Sequence, residues 1–334
     1  MAWEWLVSET PIIETEQLTR RFGSTVAVHQ LDLQVQPGAI LGLVGPDGAG
    51  KTTTIRLLAA IMNPSEGHVR VFGYDTMTRP EPIKRRIGYM AQRFNLYGDL
   101  SVRENLDFFA DVFEVTGEER RRRLQQLLSF SRLTRFQDRR AAHLSGGMQK
   151  KLALACTLIH TPEIILLDEP TTGVDPVSRR EFWEILTQLH LDGVTLVLST
   201  PYMDEAERCS QVGLMYQGRL LLCDSPEHIK QRVPLELVIL RPSDMRAAHA
   251  VLSQDAQAEE VQVYGDQLRI LVPDAQQAIP RIRALLAERS VRLLEIRPAR
   301  PRMEEAFISL VRRQAPHRAS DENTGQQDTS GGKP

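Results

Sequence analysis

Between residues 11 and 44 the hydrophobic positions follow a strand pattern. The runs IIETEQL, TVAVHQLDLQV and AILGLVG are rich in Val, Ile and Leu and are punctuated by Gly23 and Pro37-Gly38, which predicts strands ended by turns. From Lys51 the spacing becomes helical. Ile55, Leu57, Leu58 and Ile61 recur before Pro64 stops the pattern. HVRVFG and RIGYM return to strand. Residues 101–133 read as helix throughout, with Leu106, Phe109, Val112 and Phe113 on one face. EIILLD (163–168) and VTLVLS (194–199) are apolar without alternation, as strands buried on both faces are. Helical spacing from Val177 to His190 joins them into a β–α–β unit, which predicts a parallel sheet covered by helices.

The texture changes after about Val233. LELVILRP, EVQVYGDQLRILVP and RLLEIRP are strand-like, separated by helical runs over 243–254 and 275–289. This predicts a small α+β domain over 233–314, after a larger α/β domain over 11–232. Residues 315–334 carry Ser, Asp, Gly, Gln and Lys with no apolar period, the composition of a disordered tail. No internal repeat is visible.

Composition narrows the classes. The 334 residues have a formal net charge of −2, which argues against a nucleic-acid partner held by a basic surface. No apolar stretch approaches the roughly 18–20 residues that span a bilayer. MAWEWLVSET lacks the basic region and apolar core of a secretory signal. Cys156, Cys209 and Cys223 show no C-x-x-C spacing and read as buried thiols in a reducing cytosol. A cytoplasmic chain is the expectation.

Three motifs carry chemistry. Gly45-Pro46-Asp47-Gly48-Ala49-Gly50-Lys51-Thr52, followed by Thr53, is a complete G-x-x-x-x-G-K-[ST] between an apolar strand and a helix. Its glycines let backbone N–H groups curl around phosphate oxygens, and the helix N-terminus adds partial positive charge. Lys51 would reach the β- and γ-phosphates, and the Thr52 hydroxyl would bind Mg²⁺. The run from Ile164 ends in Asp168-Glu169. Asp168 suits Mg²⁺ and Glu169 suits polarising an attacking water, since carboxylates at the end of a buried strand are costly unless used. Third, LSGGMQ (144–149) precedes a helical stretch from Lys150 to His160. Ser145 suits an N-cap, and the amides of Gly146 and Gly147 suit a second anion site.

A phosphate loop, an LSGGMQ signature and an LLDEP strand end, in this order, resemble the ATPase subunit of ABC transporters over about residues 11–230. GPDGAGKTT, GYMAQRFNLYGDLSVRENL and YMDEAERC further resemble the YbhF-like multidrug-efflux group of ABC-2-type exporters. The resemblance implies a P-loop NTPase core in which a mixed sheet with helices carries an antiparallel β subdomain and a helical subdomain over about 93–145. It implies ATP and Mg²⁺ as ligands. It implies two partners, a second ABC ATPase domain and an integral membrane permease that holds the chain on the inner face of the cell membrane. Phe22 then corresponds to the aromatic that stacks on adenine, though core packing also fits it. Gln92 corresponds to the glutamine bridging metal and the permease-facing surface, though a turn residue also fits. Asp175 corresponds to the dimer-interface aspartate, and it also suits a helix cap. Ser145, Gly146, Gly147 and Gln149 would meet nucleotide held by the second chain. RMEEAFISLVRR resembles the terminal motif of ABC-2-type exporter ATPases, with its helix expected on the second copy.

One position departs from the family. Where a switch histidine would touch the γ-phosphate, this chain has Pro201, which offers neither a side-chain donor nor an N–H. His160 and His190 are nearest in sequence, within predicted helices. Loss of one such donor costs on the order of 10²–10³ in rate, while phosphate binding should suffer less. Three readings follow. In the first, a degenerate half-site pairs with a histidine-bearing ATPase. In the second, a slow homodimer uses Glu169 alone. The third is an ATP-gated dimerisation subunit without turnover. A soluble ABC protein acting on ribosomes or DNA would carry two ATPase domains or coiled-coil inserts, and neither is seen.

Overall fold

A computed structural model describes residues 10–93, 96–232 and 235–314. The N-terminal residues before Thr10 and the predicted tail over 315–334 lie outside the described residues. The chain divides at Pro226/Glu227 into two compact units, whereas composition suggested a boundary near 232. Helix α8 (Pro226–Gln231) runs across that division.

The first unit holds two sheets. β1 (Ile13–Phe22), β2 (Thr25–Val35), β4 (Glu66–Val71) and β5 (Tyr74–Asp75) form an antiparallel sheet in the order β2-β1-β4-β5. The other sheet has the order β10-β9-β3-β8-β7-β6. Its members are β3 (Ile40–Val44), β6 (Ile87–Met90), β7 (Ile164–Asp168), β8 (Thr195–Thr200), β9 (Gln211–Tyr216) and β10 (Arg219–Asp224). All pairs in it are parallel except β9–β10. Every residue of β3, β7 and β8 is buried, which is why these runs are apolar without alternation. Between the sheets, Ile13, Leu18 and Val69 pack with Leu41, Leu43 and Met215 in one core. Helix α1 (Lys51–Leu58) contributes Ile55, Leu57 and Leu58 to it. The helix is shorter than its apolar spacing predicts: Ala60 turns left-handed at φ 53°, and Ile61 is left exposed.

The segment expected to be one helix is two. α2 (Pro80–Lys84) precedes β6, and α3 (Val102–Val112) opens on a capping box between Ser101 and Glu104. α4 (Gly117–Phe130) follows only after a break in which Glu114 takes φ 57°. α3 buries Val102, Asn105, Leu106 and Ala110, while Val112 faces out. Asn105 is fully buried. Its amide donates to the carbonyls of Tyr97, Leu100 and Ser101, and its oxygen accepts from the Tyr97 N–H at 3.0 Å. One side chain thus satisfies the loop ahead of the helix. α5 (Gly146–Thr157), α6 (Pro176–Leu191) and α7 (Met203–Ala206) complete the unit.

In the second unit β11 (Glu236–Pro242), β12 (Glu260–Tyr264), β13 (Gln267–Val272) and β14 (Leu293–Ala299) pair antiparallel in the order β12-β13-β11-β14. The strand-like run over 260–273 is the β12–β13 hairpin, with Tyr264 opposite Gln267. α9 (Met245–Leu252) and α10 (Ala275–Glu288) bury Leu252, Ile282 and Leu286 with Val238, Leu240 and Ile270 in a separate core. Arg269, between Leu268 and Ile270, points the other way and meets Glu305 of α11 (Met303–Gln314) at 3.1 Å, with both side chains buried. Met303, Glu305 and Ala306 of α11 are buried within this single chain, so that face needs no second copy to cover it.

Candidate active site

β3, β6, β7 and β8 run parallel, so the segments after each of them leave the same edge of the sheet. Those segments are 45–50, Gln92, Glu169 and Pro201. The carboxyl edge of an open parallel sheet is where ligands sit.

The phosphate loop is closed by its own contacts. Ala49 N–H donates to the Pro46 carbonyl at 3.2 Å, and Thr54 N–H donates to the Gly50 carbonyl at 2.9 Å. Gly50 sits at φ 99°, and a Cβ there would lie 2.4 Å from the Ala27 carbonyl oxygen of β2. Glycine is therefore required both by conformation and by close approach. Pro46, Asp47 and Gly48 form an exposed rim; Ala49 is buried, and Thr53 is half-buried on the first turn of α1. Lys51 is buried. Its ammonium donates to the carbonyls of Gly45 (2.8 Å) and Pro46 (3.0 Å) and stands 3.7 Å from Glu169 Oε1.

The two carboxylates are held differently. Asp168 Oδ1 accepts from the hydroxyls of Thr52 (2.8 Å) and Ser199 (2.7 Å). Asp168 Oδ2, also buried, has no hydrogen-bond partner among the described residues. A buried carboxylate oxygen without a donor fits an oxygen-preferring cation or its water, so Thr52 and Asp168 fit Mg²⁺. Among the described residues no group of three His, Cys, Asp or Glu side chains is poised to hold a metal. Glu169 takes φ 45°, uncommon for a residue with a side chain. Its N–H donates to Ser199 Oγ at 2.9 Å, and its Oε2 accepts from Gln92 Nε2 at 2.8 Å and Thr172 Oγ1 at 3.2 Å. That leaves the Gln92 amide oxygen as the atom that would fit a cation.

The signature residues serve α5. Ser145 Oγ caps the helix by accepting from Met148 N–H at 3.3 Å. Gly147 packs against α6, where a Cβ would lie 2.4 Å from Ser178 Cβ; at Gly146 a Cβ would meet only the Gly173 carbonyl at 3.8 Å. Gln149 turns inward and donates to the Ala141 carbonyl at 3.1 Å. Asp175 caps α6 through the amides of Val177 and Ser178. Phe22, at the end of β1, is 45% exposed, with the Arg20 guanidinium 4.7 Å from its ring centre. Enough of the ring is open for a flat base to stack.

Several residues here were not singled out from the sequence. Ser199 links the Asp168 carboxylate to the backbone N–H of Glu169. Lys150 is buried on α5 and donates to the Gln92 carbonyl at 2.5 Å. Burial pushes its ammonium below the usual range, opposed by Asp168 and Glu169. Glu205, four residues after Pro201, is fully buried. Its Oε1 accepts from Thr171 Oγ1 (2.7 Å) and Trp183 Nε1 (3.1 Å) and pairs with Arg179 Nε (3.2 Å), while Oε2 accepts from Thr200 Oγ1 (2.7 Å). A carboxylate five residues after a strand ending in hydroxyls was the one available signal for it. His160 and His190 do not replace the missing imidazole. His160 donates Nε2 to the Ile87 carbonyl and stacks on Phe113, and His190 lies in the last turn of α6.

Comparison with known proteins agrees with this geometry. Residues 28–172 match the family described as ABC transporter. The chain is 38% identical over 306 residues to the probable multidrug ABC transporter ATP-binding protein YbhF of Escherichia coli (strain K12), covering 90% of this chain and 52% of that protein. It thus spans about half the length of that relative. It is 33% identical over 304 residues to the daunorubicin resistance ATP-binding protein DrrA2 of Streptomyces coeruleorubidus, covering 90% of this chain and 94% of that one. The ATP-binding cassette MJ0796, solved as a dimeric post-hydrolysis state with ADP and Pi, superposes with a TM-score of 0.59 at 27% identity, covering 64% of this chain and 98% of that structure. The chain belongs to the ABC transporter family.

Proposed function

We propose that this chain binds MgATP at the loop over 45–52 and hydrolyses it to drive export through a membrane permease, working as one half of a head-to-tail ATPase dimer on the inner face of the membrane. The single observation that carries the reading is Glu169. It is buried at a strand end, oriented by Gln92 and Thr172, and lies 3.7 Å from Lys51. A subunit retired from turnover needs no such arrangement. In this reading Lys51 and the amides of the loop neutralise phosphate oxygens, Phe22 stacks on the base, and Glu169 orients the attacking water and accepts its proton. Mg²⁺, held by Thr52, Asp168 and Gln92, would offset charge on the phosphate oxygens. Ser145, Gly146 and Gly147 would complete the site of the facing chain.

The permease contact is assigned to the helical part of the first unit. There Tyr97 is 49%, Phe108 37% and Val112 56% exposed, and the first two rings meet edge to face at 4.7 Å. Clustered exposed aromatics on one surface mark an interaction site. Among the described residues no helix is long and apolar enough to cross a membrane, so the spanning part is assigned to the partner.

Pro201 favours a second reading, in which this site binds ATP and a histidine-bearing partner turns it over. Steady-state ATPase turnover of the purified chain separates the two, with Glu169→Gln as the blank and Pro201→His beside it. Turnover above the blank, raised on the order of 10²-fold by the histidine, supports a slow native site. Tight ATP binding with turnover equal to the blank would rule out a slow native site and point to the half-site reading.

A further inference from the structure

Lys150 has no role in the site as assigned above, yet it is one of the few buried cations in the first unit. It sits on the first turns of α5, the helix that Ser145 caps, and only 9% of it is exposed. Its Nζ donates to the Gln92 carbonyl at 2.5 Å, and the Gln92 side chain donates to Glu169 Oε2 at 2.8 Å. The backbone end of Gln92 is thus fixed by a charge-assisted bond, and the side-chain end is fixed on the general base. Gln92 itself lies in an exposed segment after β6.

We propose that Lys150 is a positioning residue. It ties the helix carrying the 145–149 signature to Glu169 of the same chain, with Gln92 as the middle link. The inference deepens the ATPase reading and rests on it. In a head-to-tail dimer, the helix that serves the facing nucleotide would then also set the orientation of the base acting on the chain's own nucleotide. Lysine suits the task because its flexible stem can lie along the helix while one of three donors reaches a carbonyl. Methionine would keep the stem and lose the donor; arginine would keep charge and donors.

The test is amide hydrogen–deuterium exchange of the full chain, with turnover measured in parallel. In Lys150→Met, exchange in the peptide from Ile87 to Arg93 should accelerate about ten- to hundredfold, the range set by one hydrogen bond to a charged donor. Peptides over 45–58 and over α5 should be unchanged, and Lys150→Arg should restore most of the protection. Turnover should fall in kcat by a similar factor, with KM for ATP within about twofold of the parent chain. Two results would overturn the proposal: unchanged exchange around Gln92, or equal loosening of α5 itself, which would make Lys150 a packing residue. A parent chain without turnover would count against the ATPase reading alone, because the exchange comparison does not use turnover.

Discussion

Removing the carboxylate of Glu205 tests how the end of β8 is held in the absence of a switch histidine. In Glu205→Ala, Thr171, Trp183 and Thr200 each lose the acceptor they now use, and Arg179 loses a partner 3.2 Å away. Breaking a buried pair by removing one member costs about 3–5 kcal/mol. The lower end applies here, because the Arg179 side chain is 26% exposed and keeps both its ion pair to Asp204 and its place over the Tyr202 ring. Glu205→Gln is the finer probe. Its oxygen can serve the three donors that now meet Oε1, which turns its amide nitrogen toward Thr200 Oγ1. That hydroxyl already accepts from Tyr202 N–H at 3.1 Å, so the glutamine loses the charge and strains one contact, for about 1.5–3 kcal/mol. Trp183, bonded to Glu205, is the natural reporter once Trp3→Phe and Trp5→Phe remove the other indoles. Urea titration followed by its fluorescence should move the midpoint of the first unit down by about 1 M or more for alanine and by roughly half of that for glutamine, at the usual urea slopes. An alanine variant within about 1 kcal/mol of the parent, or a glutamine variant as stable as the parent, would refute the account of Glu205 as a charged acceptor.

Other expectations are equally specific. Gly147→Ala should cost about 1–3 kcal/mol through overpacking, since its Cβ would lie 2.4 Å from Ser178 Cβ; Ser178→Gly in the same chain should recover part of the loss in melting temperature. His160 is held neutral by burial, its basicity lowered from the ordinary 6.5. The unfolded chain therefore binds the proton more readily, and this residue's contribution to stability is complete above 6.5 and is lost as pH falls toward the lowered folded value. The parent minus a His160→Gln variant should show that loss when urea midpoints are compared at about pH 7.5 and 5.5; a difference independent of pH would contradict it. Phe108→Asp should leave ATP binding unchanged and abolish recovery of the chain with a membrane permease, and retention of the permease would move the docking surface elsewhere.

Legibility in the sequence followed the range of the interaction. β3, β7 and β8 were readable because double-sided burial leaves an unbroken apolar run, and residues 45–52 because a phosphate loop is one contiguous turn. The break between α3 and α4 was not readable: apolar residues recur through Phe113 and Val115, while the chain is interrupted by the backbone of Glu114. The β12–β13 hairpin lies within one strand-like run, where Gly265-Asp266 is the local signal of its two-residue turn. Ser199, Lys150 and Glu205 escaped for another reason. Lys150 acts on a carbonyl 58 residues away and Glu205 on a hydroxyl 34 residues away, so locally one is a helix lysine and the other an acid in a first helical turn.

Glu169 carries its carboxylate on a left-handed backbone, at φ 45°, a conformation that costs a side-chain-bearing residue about 1–3 kcal/mol. Chemistry and folding therefore pull in opposite directions at this position. Glycine or asparagine would relieve the backbone while deleting the proposed base, so under the ATPase reading selection for thermal robustness alone would drift toward an inactive chain. A library screened for both properties should accept stabilising changes almost anywhere before it accepts one here.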